Sequence, residues 1–187
     1  MRLFVGCSAS EDIPGKYRLD CNMLLDQLFS SNYDLVFGAC NSGIMRDAYL
    51  SALGHDREIV GICPEAYVED FKDLKCTTEI VSKSVSDRTD GLINESDVLL
   101  FLPGGFGSVY ELFTAIETKR CHEHNREIII YNSEGFYDEL LAFIERIYKE
   151  KFAKEYVRDY YFVSDDKQEI IDYIDKIKKE NTSLVRK

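Results

Sequence analysis

Short apolar runs alternate with longer amphipathic stretches from one end of the chain to the other. Arg2–Gly6 predicts a strand, and Tyr17–Ser30 a helix with Leu24, Leu25 and Leu28 on one face. Asp34–Phe37 reads as strand, Gly43–Gly54 as helix, and Arg57–Cys63 as a third strand that Pro64 stops. Glu79–Ser82 is a short extra strand, Ser84–Ser96 a helix, and Asp97–Leu102 an unbroken apolar strand. Val109–Lys119 follows as helix, Glu127–Tyr131 as strand and Tyr137–Glu150 as helix. Tyr160–Val163 and Asp166–Lys179 form the last strand and the closing helix.

The best strands are apolar throughout rather than alternating, so both of their faces are buried. Together with the strand–helix alternation, that predicts an α/β fold with a mainly parallel sheet and helices on both faces. Right-handed crossovers make it Rossmann-like and doubly wound. No linker, repeat or low-complexity stretch divides the chain. The expectation is one nucleotide-binding domain over residues 1–180 and a flexible tail over 181–187.

In such a sheet, ligands bind beyond the carboxyl ends of the strands. Three of those turns consist largely of small residues: Gly6-Cys7-Ser8-Ala9-Ser10, Gly38-Ala39-Cys40-Asn41-Ser42-Gly43, and Pro103-Gly104-Gly105-Phe106-Gly107-Ser108. The third carries the sharpest chemistry. A glycine-rich strand-to-helix turn curls its N–H groups toward one point, where the next helix adds its own unpaired amides. That is an anion site of the kind phosphate occupies. No G-K-[S/T] follows, and the glycine spacing is wrong for G-x-G-x-x-G, so it is neither a Walker loop nor a dinucleotide fingerprint.

Glu111, a few residues on, has two readings. Ser108-Val109-Tyr110-Glu111 fits a capping box in which Ser108 caps the helix and Glu111 reaches back to it. Alternatively, the carboxylate stands several ångströms from a bound phosphate, where a ribose would lie. Local sequence alone also reads Arg88 as a surface arginine paired with Asp87 or Asp90. Ser8 reads equally as an ordinary turn hydroxyl.

The net charge of −11 argues against binding to a nucleic-acid polymer or an anionic membrane, while leaving room for a small anion in a focused site. The six cysteines lack C-x-x-C spacing and several lie in apolar runs, which points to reduced thiols in a cytoplasmic protein. The histidines show no metal-ligand spacing. No run approaches the length of a membrane span.

Pro103–Glu111, P-G-G-F-G-S-V-Y-E, resembles the P-G-G-x-G-T-x-x-E signature of the Lonely Guy family, the cytokinin riboside 5′-monophosphate phosphoribohydrolases once labelled lysine decarboxylases. The resemblance extends over nearly the whole chain. Gly6–Ser10 is similar to that family's G-S-S segment, Gly38–Met45 to its G-G-G-x-x-G-L-M, and Val60–Pro64 to its V-I-G-I-x-P. Ser86–Thr89 resembles its H-E-R-K, and Gly135–Leu141 its G-[YF]-Y-x-x-L-L. Four positions depart from the pattern. Ala39 and Cys40 replace two of three glycines, Arg46 replaces the glycine after Met45, and Thr89 stands in place of Lys.

The resemblance implies hydrolysis of the N-glycosidic bond of a nucleoside 5′-monophosphate, AMP or an N6-modified AMP, to free base and ribose 5-phosphate. It assigns catalysis to Glu111 and Arg88, and substrate binding to Gly104, Gly105, Gly107 and Ser108, with Ser8 and Gly43 closing the pocket. No metal or other cofactor is implied. The expected partners are a small nucleoside monophosphate and a second copy of the chain, with the base pocket near the subunit boundary. Two alternatives stay open: a non-catalytic nucleotide-binding sensor with the same phosphate loop, to which Thr89 gives weight, and transfer of the ribosyl group to another base.

Overall fold

The computed structural model describes residues 1–185. Seven strands form one sheet in the order β4-β3-β2-β1-β5-β6-β7, and every neighbouring pair is parallel. They are β1 (Arg2–Gly6), β2 (Asp34–Phe37), β3 (Ile59–Pro64), β4 (Thr78–Ser82), β5 (Val98–Phe101), β6 (Glu127–Tyr131) and β7 (Tyr161–Ser164). The helices are α1 (Gly15–Ser30), α2 (Gly43–Gly54), α3 (Val85–Asn94), α4 (Phe106–Arg120), α5 (Asp138–Lys149) and α6 (Lys167–Val185). The α/β doubly wound expectation therefore holds.

Strand pleating sends alternate residues into two separate cores. Leu3 and Val5 of β1 pack with Leu24 and Leu28 of α1, Ala48 of α2 and Ile170 of α6. Phe4 points the other way, toward Leu92 of α3, Leu112 of α4 and Ile144 of α5. Three helices thus cover each face, which explains why the central strands are apolar beyond the first residues of β1 and β2.

The chain winds one way through β1 to β4 and the other way through β5 to β7, so the order reverses between β1 and β5. There the flanking crossovers diverge and leave a crevice at the carboxyl ends. The two strands stay tied just beyond their last paired residues. Leu102 N donates to Gly6 O at 2.8 Å and Ser8 N donates to Pro103 O at 3.1 Å. Tyr137, fully packed behind the turn, donates its hydroxyl to Leu102 O at 2.7 Å and fixes the carbonyl that precedes Pro103.

Three differences from the sequence expectations concern element ends. Helix α4 begins at Phe106, three residues before the expected Val109. Glu65–Asp73 and Glu155–Tyr160 form 3₁₀ turns whose short apolar pattern gave no helical period. Helix α6 continues through Val185, past the expected start of a tail at Asn181; residues 186–187 lie outside the described residues. Among the described residues, no helix is long and apolar enough to cross a membrane.

Candidate active site

A cavity of about 350 Å³ opens at the β1/β5 crevice. It is lined by Gly105, Gly107 and Ser108 of the glycine-rich turn, by Arg88 and Glu111, and by Ser8 and Ser10 of the turn after β1. The first amides of α4, those of Phe106, Gly107 and Ser108, have no intrahelical partners, and its N-cap Gly105 brings no side chain to occupy them. Those amides and the positive end of the helix dipole make this the anion pole of the cavity.

The capping-box reading fails here. Ser108 is the third residue of the helix rather than its cap, and no side chain caps the α4 N-terminus. Ser108 Oγ instead packs against Gly104, where an added Cβ would lie 2.1 Å from it. Glu111 does not reach back to the helix start. Its Oε1 accepts from Arg88 Nη1 at 2.8 Å, and both side chains are largely buried.

The surface reading of Arg88 fails as well. Arg88 lies in the first turns of α3, and its guanidinium reaches inward under the sheet ends. Nε donates to Ile62 O at 3.2 Å, at the end of β3, and Nη2 to Gly38 O at 3.5 Å, just after β2. The approach to Gly38 is so close that a Cβ there would sit 1.7 Å from Nη2. A glycine after β2 is therefore a steric requirement of the arginine, 50 residues away in sequence.

Burial pushes the Glu111 carboxyl above its ordinary range, while the Arg88 charge and hydrogen bond pull it back. A carboxylate held this way is dry, aimed and paired on one oxygen, with the rest of the group facing the cavity. The neighbouring Cys7 thiol is buried and pushed well up, mainly by desolvation, so it stays neutral.

The remaining predicted residues divide. Ser8 lines the cavity, and its Oγ accepts from Ser10 N at 3.1 Å, so it also acts as a turn hydroxyl. Gly104 faces an adjoining apolar cavity of about 260 Å³, formed with Pro14, Tyr17 and Phe136, which shares Ser8, Ser10 and Gly105 with the first. Gly43 is not in the lining of either cavity. It is buried at φ 60° behind the Ser8–Ser10 backbone, and its amide donates to Glu11 Oε1 at 3.3 Å. Glu11 also accepts from Ser42 Oγ and pairs with Arg46 at 2.8 Å, so the chain supplies its own anion at the α2 N-terminus.

The sequence already pointed to the turns that hold Cys7, Ala9, Ser10 and Cys40, with Cys40 a departure from the family pattern near the expected substrate pocket, but it gave none of them, nor Met45, a role; all five line the cavity. It also missed the amide of Phe106, because the helix was expected to start later. Thr89, the departure beside Arg88, is buried and gives its hydroxyl to Val85 O at 3.0 Å, away from the cavity. A larger cleft, about 490 Å³, lies between α4, α5 and the Glu155–Tyr160 turn, lined by such residues as Phe113, Ile144 and Tyr148. It contains none of the predicted site residues, so volume alone does not locate the chemistry.

With this geometry in place, comparison with known proteins adds a lineage. The family model described as "Possible lysine decarboxylase" matches residues 45–174, a span that includes Arg88, the glycine-rich turn and Glu111. The chain belongs to this family, the Lonely Guy family. A cytokinin riboside 5′-monophosphate phosphoribohydrolase of Arabidopsis thaliana is 29% identical over 163 residues, covering 84% of this chain and 74% of the relative. A probable enzyme of the same description from Oryza sativa subsp. japonica is 25% identical over 189 residues, covering 100% of this chain and 77% of the relative.

Solved structures share the fold at lower identity. The Moco carrier protein of Chlamydomonas reinhardtii superposes with a TM-score of 0.69 at 15% identity, covering 96% of this chain and 98% of that one. The molybdenum cofactor binding protein of Rippkaea orientalis gives 0.69 at 17%, covering 94% and 96%. At such identities the likeness speaks for the architecture of the Lonely Guy fold and not for a shared ligand.

Proposed function

We propose that this chain hydrolyses the N-glycosidic bond of a nucleoside 5′-monophosphate, releasing free base and ribose 5-phosphate. The observation that carries this reading is the buried Arg88–Glu111 pair facing the cavity one turn into the helix whose N-terminus is free for a phosphate. The relatives named as phosphoribohydrolases support it.

The 5′-phosphate rests on the amides of Gly105, Phe106, Gly107 and Ser108, with Ser8 and Ser10 across the cavity. The ribose then lies beside Glu111. As the bond to the base breaks, positive charge grows on the ribose ring, and the fixed, largely buried carboxylate of Glu111 stabilises it. The same carboxylate orients, or takes a proton from, the attacking water, whose oxygen ends on the anomeric carbon while one of its protons is passed on to the departing base. Arg88 keeps Glu111 ionised and aimed, and no step requires a metal or a redox cofactor. Gly43, already bonded to Glu11, takes no part in holding the phosphate. Phe106, 96% exposed, and Tyr110 one turn on present apolar surface beside the cradle, which a second copy of the chain covers in the homodimer we propose.

The test is a panel of nucleoside 5′-monophosphates with the matching unphosphorylated nucleosides, scored for free base and ribose 5-phosphate. Cleavage of the monophosphates only is expected. Equal cleavage of the nucleosides would contradict the phosphate cradle, and saturable binding with no released base would leave a sensor.

A further inference from the structure

Once the phosphate is placed at the α4 N-terminus and the ribose beside Glu111, one part of the cavity wall is left for the base. It consists of Cys7, Ala9, Cys40 and Met45. Cys7 and Met45 are buried and contribute little surface, while Cys40 is half-buried. Its place is fixed by the backbone on both sides. Gly38 O holds Arg88, and Ala39, fully buried, sits at φ 53° in the left-handed region that an alanine seldom adopts. That turn of the backbone presents the next side chain to the cavity. Cys40 and Met45 thus line the same cavity as Arg88 and Glu111, and their sulfur-bearing side chains offer a soft surface suited to the face of a planar heterocycle, while the Cys7 thiol turns back to Val5 O.

We infer that Cys40, a residue outside the Arg88–Glu111 pair, determines which base the cavity admits, contacting the base and not the sugar phosphate. The inference rests on the proposed hydrolysis of a nucleoside monophosphate and adds to it a specificity residue and an orientation for the substrate. Cys40 carries a side chain where glycine would leave open space, so it narrows the base end. The chain then favours monophosphates of compact, unsubstituted bases over those with a bulky exocyclic group.

The first test reads binding without turnover. Glu111→Gln protein is treated with N-ethylmaleimide, and labelling of Cys40 is followed by peptide mass mapping, with exposed Cys121 as the internal reference. AMP at about ten times its Kd should slow Cys40 labelling about tenfold and leave Cys121 unchanged. Ribose 5-phosphate at the same saturation should protect Cys40 little. Equal protection by ribose 5-phosphate would overturn the inference, as would AMP binding, measured by calorimetry on the same sample, with no protection. Absence of AMP binding would instead count against the proposed function itself.

The second test compares Cys40→Gly with wild type on AMP and N6-benzyl-AMP. The ratio of kcat/KM values should move about tenfold toward the bulkier base. An unchanged ratio in a folded variant would overturn the assignment.

Discussion

Arg88 and Glu111 lie 23 residues apart on different helices, yet Nη1 of one donates to Oε1 of the other at 2.8 Å with both side chains withdrawn from solvent. A buried ion pair contributes little net stability when intact, but removing one partner strands the other. Arg88→Ala should therefore destabilise the protein at pH 7 by ~3–5 kcal/mol. Adding Glu111→Gln to that variant should recover part of the loss, because no buried charge remains. Urea melts of both single variants and the double variant measure this coupling; strict additivity would mean that the pair does not interact.

Glu111→Gln should fold and bind AMP, and should lose ~10²–10⁴-fold in kcat, the range of a positioned acid–base group. Single-turnover assays with saturating AMP separate this from a binding defect. A variant that turns over like wild type would remove Glu111 from the chemistry.

The pH dependence follows from the raised carboxyl of Glu111. A group whose pKa is higher in the folded protein stabilises it fully below the unfolded value and ceases to do so as pH rises through the folded value. The Tm of Glu111→Gln minus that of wild type should therefore become more positive as pH rises through the range just above the ordinary glutamate value of 4.5. Catalysis needs the ionised form, so kcat/KM should fall on acidification with a midpoint above 4.5. A Tm difference that is flat with pH would contradict the desolvation of this carboxyl.

Gly38→Ala places a methyl group 1.7 Å from Arg88 Nη2 and must displace the guanidinium. Overpacking of this kind costs ~1–3 kcal/mol. Moving Arg88 by about an ångström should lower kcat/KM roughly a hundredfold. Thermal melts and steady-state rates on AMP check both effects, and near-normal activity would show that Arg88 need not be held at this position.

Gly107→Ala tests the cradle by opposing effects. A Cβ there meets nothing within 4 Å, and alanine is the better residue inside a helix, so stability should rise by ~0.5–1 kcal/mol. The methyl group, however, stands where phosphate approaches the amides, and KM for AMP should rise about tenfold, the worth of one hydrogen bond to a charged group. A more stable variant with unchanged KM would place the phosphate elsewhere.

The sheet was legible because strands such as Val98–Phe101 are apolar at every position, a pattern that two-sided burial explains. The glycine-rich turn was legible because its composition and its physical task coincide. What escaped was non-local. Local sequence read Arg88 as a surface residue among Asp87 and Asp90, and only the family resemblance placed it in the site, because its partners, Ile62 O, Gly38 O and Glu111, come from three other segments. Ser108 looked like a cap because its hydroxyl type fits one, while the structure uses Gly105 and starts the helix earlier. Gly43 was grouped with the cradle by its place after β2, but Glu11, which nothing in the local sequence linked to it, already occupies its amide.

Incubation of the wild-type protein with AMP, with adenine and ribose 5-phosphate quantified over time, tests the hydrolytic reading most directly. Equimolar appearance of the two products, and loss of both in Glu111→Gln protein that still binds AMP, is the expected result. AMP recovered intact from saturated wild-type protein would contradict it.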